Sequence, residues 1–310
     1  MYEQYYGLRE RPFDLSPNPR FLFLSKGHKE ALMHLRYGLS GRPGLTVLVG
    51  EAGTGKTTLV RAALQSIGNG QSKVVHLSNP TLTRSEFYEF LAGGYGFSAN
   101  AASSKTSFIH ELSRALTTAG SVSGVLALVV DEAQSLPHAL LEEIRLLTNT
   151  EGTSGNAVAV ALVGQPELAD RLNELGLRQL KQRIALRCQL SPLDLNETAA
   201  YVAARVRVAG GRPDVLFTRD AILTIHEHSL GIPRTISVLC DNALVNGFAA
   251  DAKPVGRQIV EDVCGDFHLI QAAAAPASPA IRPAAPATED EVASAPLFNA
   301  VARPRRFSFF

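Results

Sequence analysis

The sequence predicts an α/β fold, in which a parallel sheet flanked by helices is followed by a small all-helical domain. Two observations carry this prediction. Short apolar or β-branched runs alternate with longer helical patterns as far as Leu190, and beyond Leu190 only helical patterns recur. Strands that alternate with helices indicate parallel pairing, with helices on both faces of the sheet. We place the boundary between the two parts near Pro192.

Runs of β-branched and apolar residues bounded by turn formers predict five strands. They are Thr46–Val49, Lys73–Leu77, Val125–Val130, Val158–Val163 and Arg187–Leu190. Helical spacing of apolar residues predicts helices between these strands and four more in the helical domain. Those between the strands include Thr57–Ile67, Ser107–Ala119, Ala139–Thr150 and Pro166–Leu175. Those of the helical domain are Asn196–Val208, Arg219–His228, Arg234–Ala249 and Gly256–Leu269.

We expect four segments along the chain. Residues 1–40 lead into the core, residues 41–191 form the core, residues 192–271 form the helical domain and residues 272–310 form a tail. The tail contains 13 alanines and six prolines and shows no strand or helix periodicity. Such a segment buries too little apolar surface to offset the entropy of ordering, so we expect it to be disordered. Its basic and aromatic end is either a docking peptide, a membrane-surface contact or an unconstrained terminus.

Composition narrows the function classes. No apolar run reaches the roughly 20 residues that a spanning helix needs, and the amino terminus lacks the basic and apolar regions of a secretory signal. We therefore expect no transmembrane segment and a cytoplasmic location. Thirty basic against 29 acidic side chains leave a net charge of +1, which does not favour a nucleic-acid-binding protein. Three widely separated cysteines show no metal-site or disulfide spacing.

The strongest local signal lies between the first predicted strand and the helix after it. Residues 50–57 read GEAGTGKT, the G-x-x-x-x-G-K-[ST] pattern of a phosphate-binding loop, or Walker A motif. Glycines allow a turn so tight that successive N–H groups converge on phosphate oxygens at the positive end of the next helix. Lys56 would bridge the β- and γ-phosphates of a bound nucleotide, and the Thr57 hydroxyl would bind Mg²⁺. The alternative is a glycine-rich turn without nucleotide. The residues assigned to nucleotide binding are Gly50, Glu51, Ala52, Gly53, Thr54, Gly55, Lys56, Thr57 and Thr58.

A second signal follows the third predicted strand, where Asp131 and Glu132 end an apolar run. Parallel sheets bind ligands at the carboxyl ends of their strands, so both carboxylates would lie beside the phosphate-binding loop. Asp131 is the expected Mg²⁺ ligand, acting through the water shell of the ion, and Glu132 the group that polarises the attacking water. An ordinary solvated loop is the alternative.

Weaker candidates follow later strands and helices. Gln165 ends the fourth strand, where its amide would orient the attacking water or simply bond within a turn. A basic stretch precedes the last strand, and from it we select Arg183 as a side chain that reaches the γ-phosphate of a neighbouring subunit; a solvated charged face is the alternative. Arg234 follows Pro233 at a helix start and would point back at the nucleotide. The basic stretch contains Arg178, Lys181, Arg183 and Arg187.

Taken together, these motifs resemble those of AAA+ ATPases, and more narrowly of the general secretion pathway A (ExeA-like) family. The resemblance covers about residues 1–270. The segments that carry it are residues 1–8 (MYEQYYGL), 12–13 (PF), 16–21 (SPNPRF), the phosphate-binding loop, 131–134 (DEAQ), 145–149 (RLLTN), 164–168 (GQPEL), 182–183 (QR) and 231–234 (GIPR).

The resemblance implies a P-loop NTPase of the AAA+ type with a helical lid, hydrolysing ATP to ADP and phosphate. It places Gln165 at the first sensor position, Arg183 as the inter-subunit finger and Arg234 at the second sensor. It also implies a homo-oligomer, a ring or a nucleotide-dependent dimer or hexamer, that supports assembly of a secretion or cell-envelope export system. We therefore expect a cytoplasmic ATPase that reaches the inner membrane through a protein partner.

Two other functions share the same nucleotide-binding core. One is a DNA-associated ATPase of the transposition-helper kind, which the neutral charge balance does not favour. The other is a scaffold whose assembly depends on nucleotide occupancy rather than turnover. Three aromatic side chains ahead of the first strand would line an adenine pocket or pack in the core. They are Tyr5, Phe13 and Phe21.

Overall fold

A five-stranded sheet lies at the centre of the structure, a computed structural model that describes residues 1–16, 18–40, 44–67, 72–78, 80–122, 124–152 and 155–267. All of these residues fall within one compact unit. The predicted tail and Leu269 lie outside the described residues. The strands are β1 (Leu45–Gly50), β2 (Lys73–Leu77), β3 (Leu126–Val130), β4 (Ala159–Gly164) and β5 (Ile184–Leu190).

Every pairing in the sheet is parallel, and the strand order is β2-β3-β4-β1-β5. The α/β class predicted from the sequence is therefore confirmed. Strand β5 begins at Ile184 rather than at Arg187, because its pairing with β1 continues past a register shift to Leu45 and Ile184. Central strands β1, β3 and β4 are buried along their whole length.

Helices cover the sheet and form the carboxyl-terminal part of the described chain. In chain order they are α1 (Tyr2–Tyr6), α2 (Lys26–Gly38), α3 (Lys56–Gln65), α4 (Arg84–Tyr95), α5 (Ala99–Ser103), α6 (Lys105–Ser121), α7 (His138–Leu147), α8 (Pro166–Arg171), α9 (Arg178–Lys181), α10 (Leu195–Val208), α11 (Pro213–Leu216), α12 (Arg219–Ser229), α13 (Pro233–Ala249) and α14 (Arg257–Asp266). Among the described residues, no helix combines the length and the apolar content needed to cross a bilayer.

Three core helices end earlier than their predicted ranges. Helix α8 ends at Arg171, and the amides of Asn173 and Glu174 bond to carbonyls three residues back, a 3-10 pattern. After Gln65 of α3, the amides of Ser66 and Ile67 do the same, so Ile67 lies outside that helix. In α7 the same pattern follows Leu147 and excludes Thr150 from the helix. The sequence analysis also did not include α2 and α4, which begin at the capping residues Ser25 and Thr83.

The sheet is buried on both faces. Val47 and Val49 of β1 belong to one apolar cluster and Leu48 to another, as the alternation of side chains along a strand requires. A third cluster lies in the helical part and includes Leu193, Ile236 and Leu244.

The amino-terminal segment packs into the helical part. Tyr2, Tyr6 and Phe13 belong to the same apolar cluster as the helices after β5. The Tyr6 hydroxyl donates to the carbonyl of Ala252 at 3.1 Å. Residues 1–40 therefore cross from the helical part to the sheet, where α2 contacts β5. The segment boundaries stay predictions, since the described residues form one compact unit.

Candidate functional site

The phosphate-binding loop connects β1 to α3 in a conformation that requires glycine. Gly53 and Gly55 have φ angles of 83° and 96°, in the left-handed region that disfavours other residues. A Cβ atom on Gly53 would lie 2.8 Å from Cβ of Arg234. The loop thus approaches the start of α13 so closely that no side chain fits between them.

Lys56 is buried at the first position of α3, with 5% of its surface exposed. Its ammonium group donates to the carbonyl oxygens of Gly50 at 2.8 Å and Glu51 at 3.0 Å. Burial lowers the pKa of Lys56, and the charges of Glu132 and Asp131 oppose that effect. The ammonium group is therefore held by the loop carbonyls, near enough to the two carboxylates to feel their charge.

Thr57 and Asp131 meet at the carboxyl edge of the sheet. The Thr57 hydroxyl donates to Oδ2 of Asp131 at 2.7 Å, and Asp131 is 4% exposed. Both groups are hard oxygen ligands of the kind that Mg²⁺ takes. Within the described parts of the chain there is no cluster of three His, Cys, Asp or Glu side chains. Proteins hold Mg²⁺ through one or two carboxylates together with substrate phosphates, and Asp131 offers one such carboxylate.

Glu132 lies beside Asp131 and is held by two amides. Its Oε2 atom accepts from Nε2 of Gln134 at 2.6 Å and from Nε2 of Gln165 at 3.3 Å. The bond from Gln134, then that from Gln165 and the charge of Lys56, lower the pKa of Glu132 against the opposing effect of burial. The carboxylate is thus kept ionised and aimed. Gln134 had no assigned role in the sequence analysis, because its bond to Glu132 depends on the turn after β3.

The turn after β3 also contacts the end of β4. The side-chain oxygen of Gln134 accepts from the backbone N–H of Gln165 at 3.1 Å. A Cβ atom at Gly164 would lie 2.6 Å from that oxygen, so the contact needs glycine at this position. Gln165, predicted from the end of β4, is therefore brought to the two carboxylates that end β3.

A cleft of about 440 Å³ opens above the loop, between the amino-terminal segment and the helical part. Arg234 lies in its wall, and the Arg234 backbone N–H donates to the carbonyl of Gly53 at 3.2 Å. The cleft is lined by Asp14, Leu15, Ser16, Asn18, Phe21, Leu22, Phe23, His28, Ala52, Gly53, Thr54, Gly55, Lys56, Thr57, Thr58, Glu132, Tyr201, Arg205, Pro233, Arg234 and Ser237.

Of the three aromatic candidates, Phe21 alone lines the cleft, whereas Phe13 is buried in the helical core and Tyr5 packs against it. The guanidinium of Arg205 lies 5.0 Å from the Phe21 ring centroid. It also donates to the carbonyl of Asp14 at 2.9 Å, which fastens the amino-terminal segment to α10. Sequence analysis missed Arg205, because its partners are almost 200 residues away in the chain.

Arg183 lies apart from these groups. Its side chain is exposed at the start of β5, and its carbonyl accepts from the backbone N–H of Leu45 at 2.8 Å. It is not among the described residues that line the cleft. The predicted role of Arg183 requires a second subunit, and the structure describes one chain, so that role stays a prediction.

Sequence comparisons match this chain to a domain family and to a curated protein. The AAA domain matches residues 39–172. General secretion pathway protein A of Aeromonas hydrophila is 41% identical over 270 residues, which is 87% of this chain and 48% of that protein. The chain therefore spans about half the length of the curated relative that it matches.

Solved structures share the fold at low identity. The Aeropyrum pernix ORC2 protein, in ADPNP and ADP complexes, is 17% identical with a TM-score of 0.60, covering 83% of this chain and 71% of its own. The Aeropyrum pernix ORC1 protein in complex with DNA is 16% identical with a TM-score of 0.61, covering 84% and 70%. In sequence, this chain thus matches an AAA domain over residues 39–172 and resembles general secretion pathway protein A over 87% of its own length.

Proposed function

We propose that this chain binds ATP with Mg²⁺ in the cleft and hydrolyses it to ADP and phosphate. The observation that carries the proposal is the contact between Thr57 and Asp131 at 2.7 Å, beside the buried ammonium group of Lys56. The hydroxyl and carboxylate oxygens that would bind a divalent cation lie close to the ammonium group that would bind phosphate oxygens. All three groups lie at the carboxyl end of a parallel sheet. That combination suits a nucleoside triphosphate.

Each side chain would then have one task. Lys56 moves from the carbonyls that it now contacts to the phosphate oxygens, and the loop amides bind those oxygens from the helix start. Thr57 and Asp131 hold Mg²⁺, which when bound neutralises charge that develops on the phosphates. Glu132 accepts a proton from the attacking water, and Gln165 holds both the carboxylate and that water. Arg234 contacts the phosphates from the lid side.

The proposal extends to the cellular role. This chain is 41% identical to general secretion pathway protein A. On that basis we propose that hydrolysis drives rearrangement of a homo-oligomer that supports assembly of a secretion or envelope export system. The chain would act in the cytoplasm and reach the inner membrane through a protein partner.

Replacing Glu132 separates hydrolysis from binding. We expect Glu132→Gln to slow phosphate release by ~10²- to 10⁴-fold, the usual contribution of a general base, and to leave ATP affinity unchanged in calorimetry. Lys56→Ala should abolish tight ATP binding, because it removes the cation at the loop. Lys29→Ala, an exposed lysine on α2, is the matched control and should behave as the parent protein. Parental hydrolysis by Glu132→Gln would show that another group is the base.

A further inference from the structure

His28 is a buried titratable side chain in the cleft wall that has no task in the proposed hydrolysis. It lies in the first turn of α2, is 5% exposed, and lines the cleft beside the phosphate-binding loop. A buried imidazole either only fills space or also orients its neighbours. The contacts of the two ring nitrogens distinguish these roles for His28.

Both ring nitrogens of His28 have partners. Nε2 lies 2.9 Å from the carbonyl oxygen of Thr54, and Nδ1 lies 2.9 Å from the hydroxyl of Ser25. A carbonyl only accepts, so Nε2 must carry the proton that it donates to Thr54. In the neutral ring Nδ1 then accepts from Ser25, the residue that caps α2. The contacts fix one tautomer and join the start of α2 to the loop.

The bond to Thr54 sets the direction of the next amide. The peptide bond is planar and trans, so the carbonyl of Thr54 and the N–H of Gly55 point to opposite sides of it. With the carbonyl bonded to His28, the Gly55 N–H points away from the imidazole, in a loop that lines the cleft. A Cβ atom on Gly55 would lie 3.4 Å from Nε2, so the imidazole packs directly beside this peptide.

We propose that His28 is a positioning residue for the nucleotide: it holds the Thr54–Gly55 peptide so that the Gly55 N–H donates to a phosphate of a nucleoside di- or triphosphate. This inference rests on the proposed function, since it needs a phosphate in the loop. Ser25 is the second member of the device, because its hydroxyl orients the ring. Gly53 and Gly55 flank Thr54 and leave its backbone flexible. Without the bond from His28, the Thr54–Gly55 peptide would be free to flip and point its carbonyl oxygen at the phosphate.

Three substitutions at His28 separate positioning from packing. Glutamine carries an amide nitrogen at nearly the position of Nε2 and keeps a donor for Thr54. Asparagine carries its nitrogen nearer the position of Nδ1 and does not reach Thr54. Phenylalanine fills the space and has no donor. By calorimetry with ADP, we expect His28→Phe and His28→Asn to bind roughly tenfold more weakly, the size of one lost hydrogen bond to a charged group. His28→Gln should return to within about threefold of the parent.

The outcomes distinguish this inference from the proposed function. If the parent protein takes up no ADP or ATP, the proposed function fails and the role of His28 fails with it. If the parent binds ADP and His28→Phe binds it equally well at an unchanged melting temperature, the role of His28 is wrong and the proposed function stands. Should His28→Phe fold poorly, the glutamine and asparagine variants decide: equal affinity in these two overturns the proposal, and tighter binding by glutamine supports it.

Discussion

At the scale of single residues, Gly53 marks where the loop touches the lid. Alanine at this position would have to adopt a φ of 83°, and its Cβ would lie 2.8 Å from Cβ of Arg234. We expect Gly53→Ala to lower the free energy of unfolding by ~1–2 kcal/mol, the cost of a left-handed conformation, and to weaken ATP binding because α13 must shift. Urea unfolding and nucleotide titration measure the two effects.

Gly93 supplies the control for that substitution. It lies inside α4, where an added Cβ would meet no atom within 4 Å. Gly93→Ala should therefore raise the free energy of unfolding by up to ~1 kcal/mol, because alanine loses less conformational entropy in a helix. A Gly53→Ala protein as stable as the parent, and binding ATP equally well, would show that the loop and the lid are not in the contact seen here.

At the scale of helices and strands, Glu143 of α7 joins three helices that cover the sheet. Its carboxylate is 5% exposed, and it accepts from Tyr88 of α4 at 2.6 Å and from Lys105 of α6 at 2.5 Å. Burial has the largest influence on the pKa of Glu143 and would raise it. The hydrogen bonds from Lys105 and Tyr88, with the charges of Lys105 and Arg84, outweigh burial and hold the pKa below its usual value.

The direction of that pKa gives a pH dependence. A carboxylate whose pKa is lower in the folded chain stabilises the fold above its unfolded pKa, near 4.5, and loses that contribution as the pH falls through the folded value. Near neutral pH, we expect Glu143→Gln to lower the free energy of unfolding by about 2 kcal/mol, as for a lost hydrogen bond to a charged group. The difference from the parent should shrink on acidification.

The neighbouring residue provides the comparison. Glu142 is 45% exposed and pairs with Arg145 on the surface of α7. Surface ion pairs contribute between zero and ~1 kcal/mol, so Glu142→Gln should change the unfolding free energy little at any pH. If the two variants show the same stability between acidic and neutral pH, the Glu143 network does not join the three helices as described.

Elements could be predicted from the sequence where the signal is local. The strand β3 and the loop before Lys56 follow from apolar runs and glycine spacing, and both appear where expected. Contacts between distant segments leave no such trace. Gln134 looks like any turn residue until the turn brings it to Glu132. His28 looks like one polar residue among several in α2 until the fold places the loop against it.

At the scale of the whole molecule, the cleft is assembled from three distant stretches of chain. The amino-terminal segment shares its apolar core with the helices after β5, and Arg205 donates from α10 to the carbonyl of Asp14. The amino-terminal wall of the cleft is therefore joined to the helices after β5 by direct contacts.

The same scale holds the prediction on assembly. Arg183 is exposed and lies outside the cleft of its own chain, so its predicted role requires a second subunit. Arg183→Ala subunits would keep an intact phosphate-binding loop but lack the arginine that acts on the neighbouring site. Lys56→Ala subunits would keep that arginine but lack a working phosphate-binding loop. Each should be inactive alone. Mixed in equal amounts, they should regain activity, since an Arg183→Ala site beside a Lys56→Ala subunit is complete.

The activity expected in the mixture follows from random assembly of the two kinds of subunit. With random mixing, half of the sites have an intact Lys56 and half of their neighbours an intact Arg183, so about one quarter of parental phosphate release should return if the arginine acts across the interface. Lys56→Ala mixed with Glu132→Gln is the control and should regain nothing, because both groups act in the cleft of a single chain. Arg178→Ala, also exposed and basic, should be active alone. A mixture of Arg183→Ala and Lys56→Ala that stays inactive, while mass measurements show mixed oligomers, would remove Arg183 from the neighbouring site.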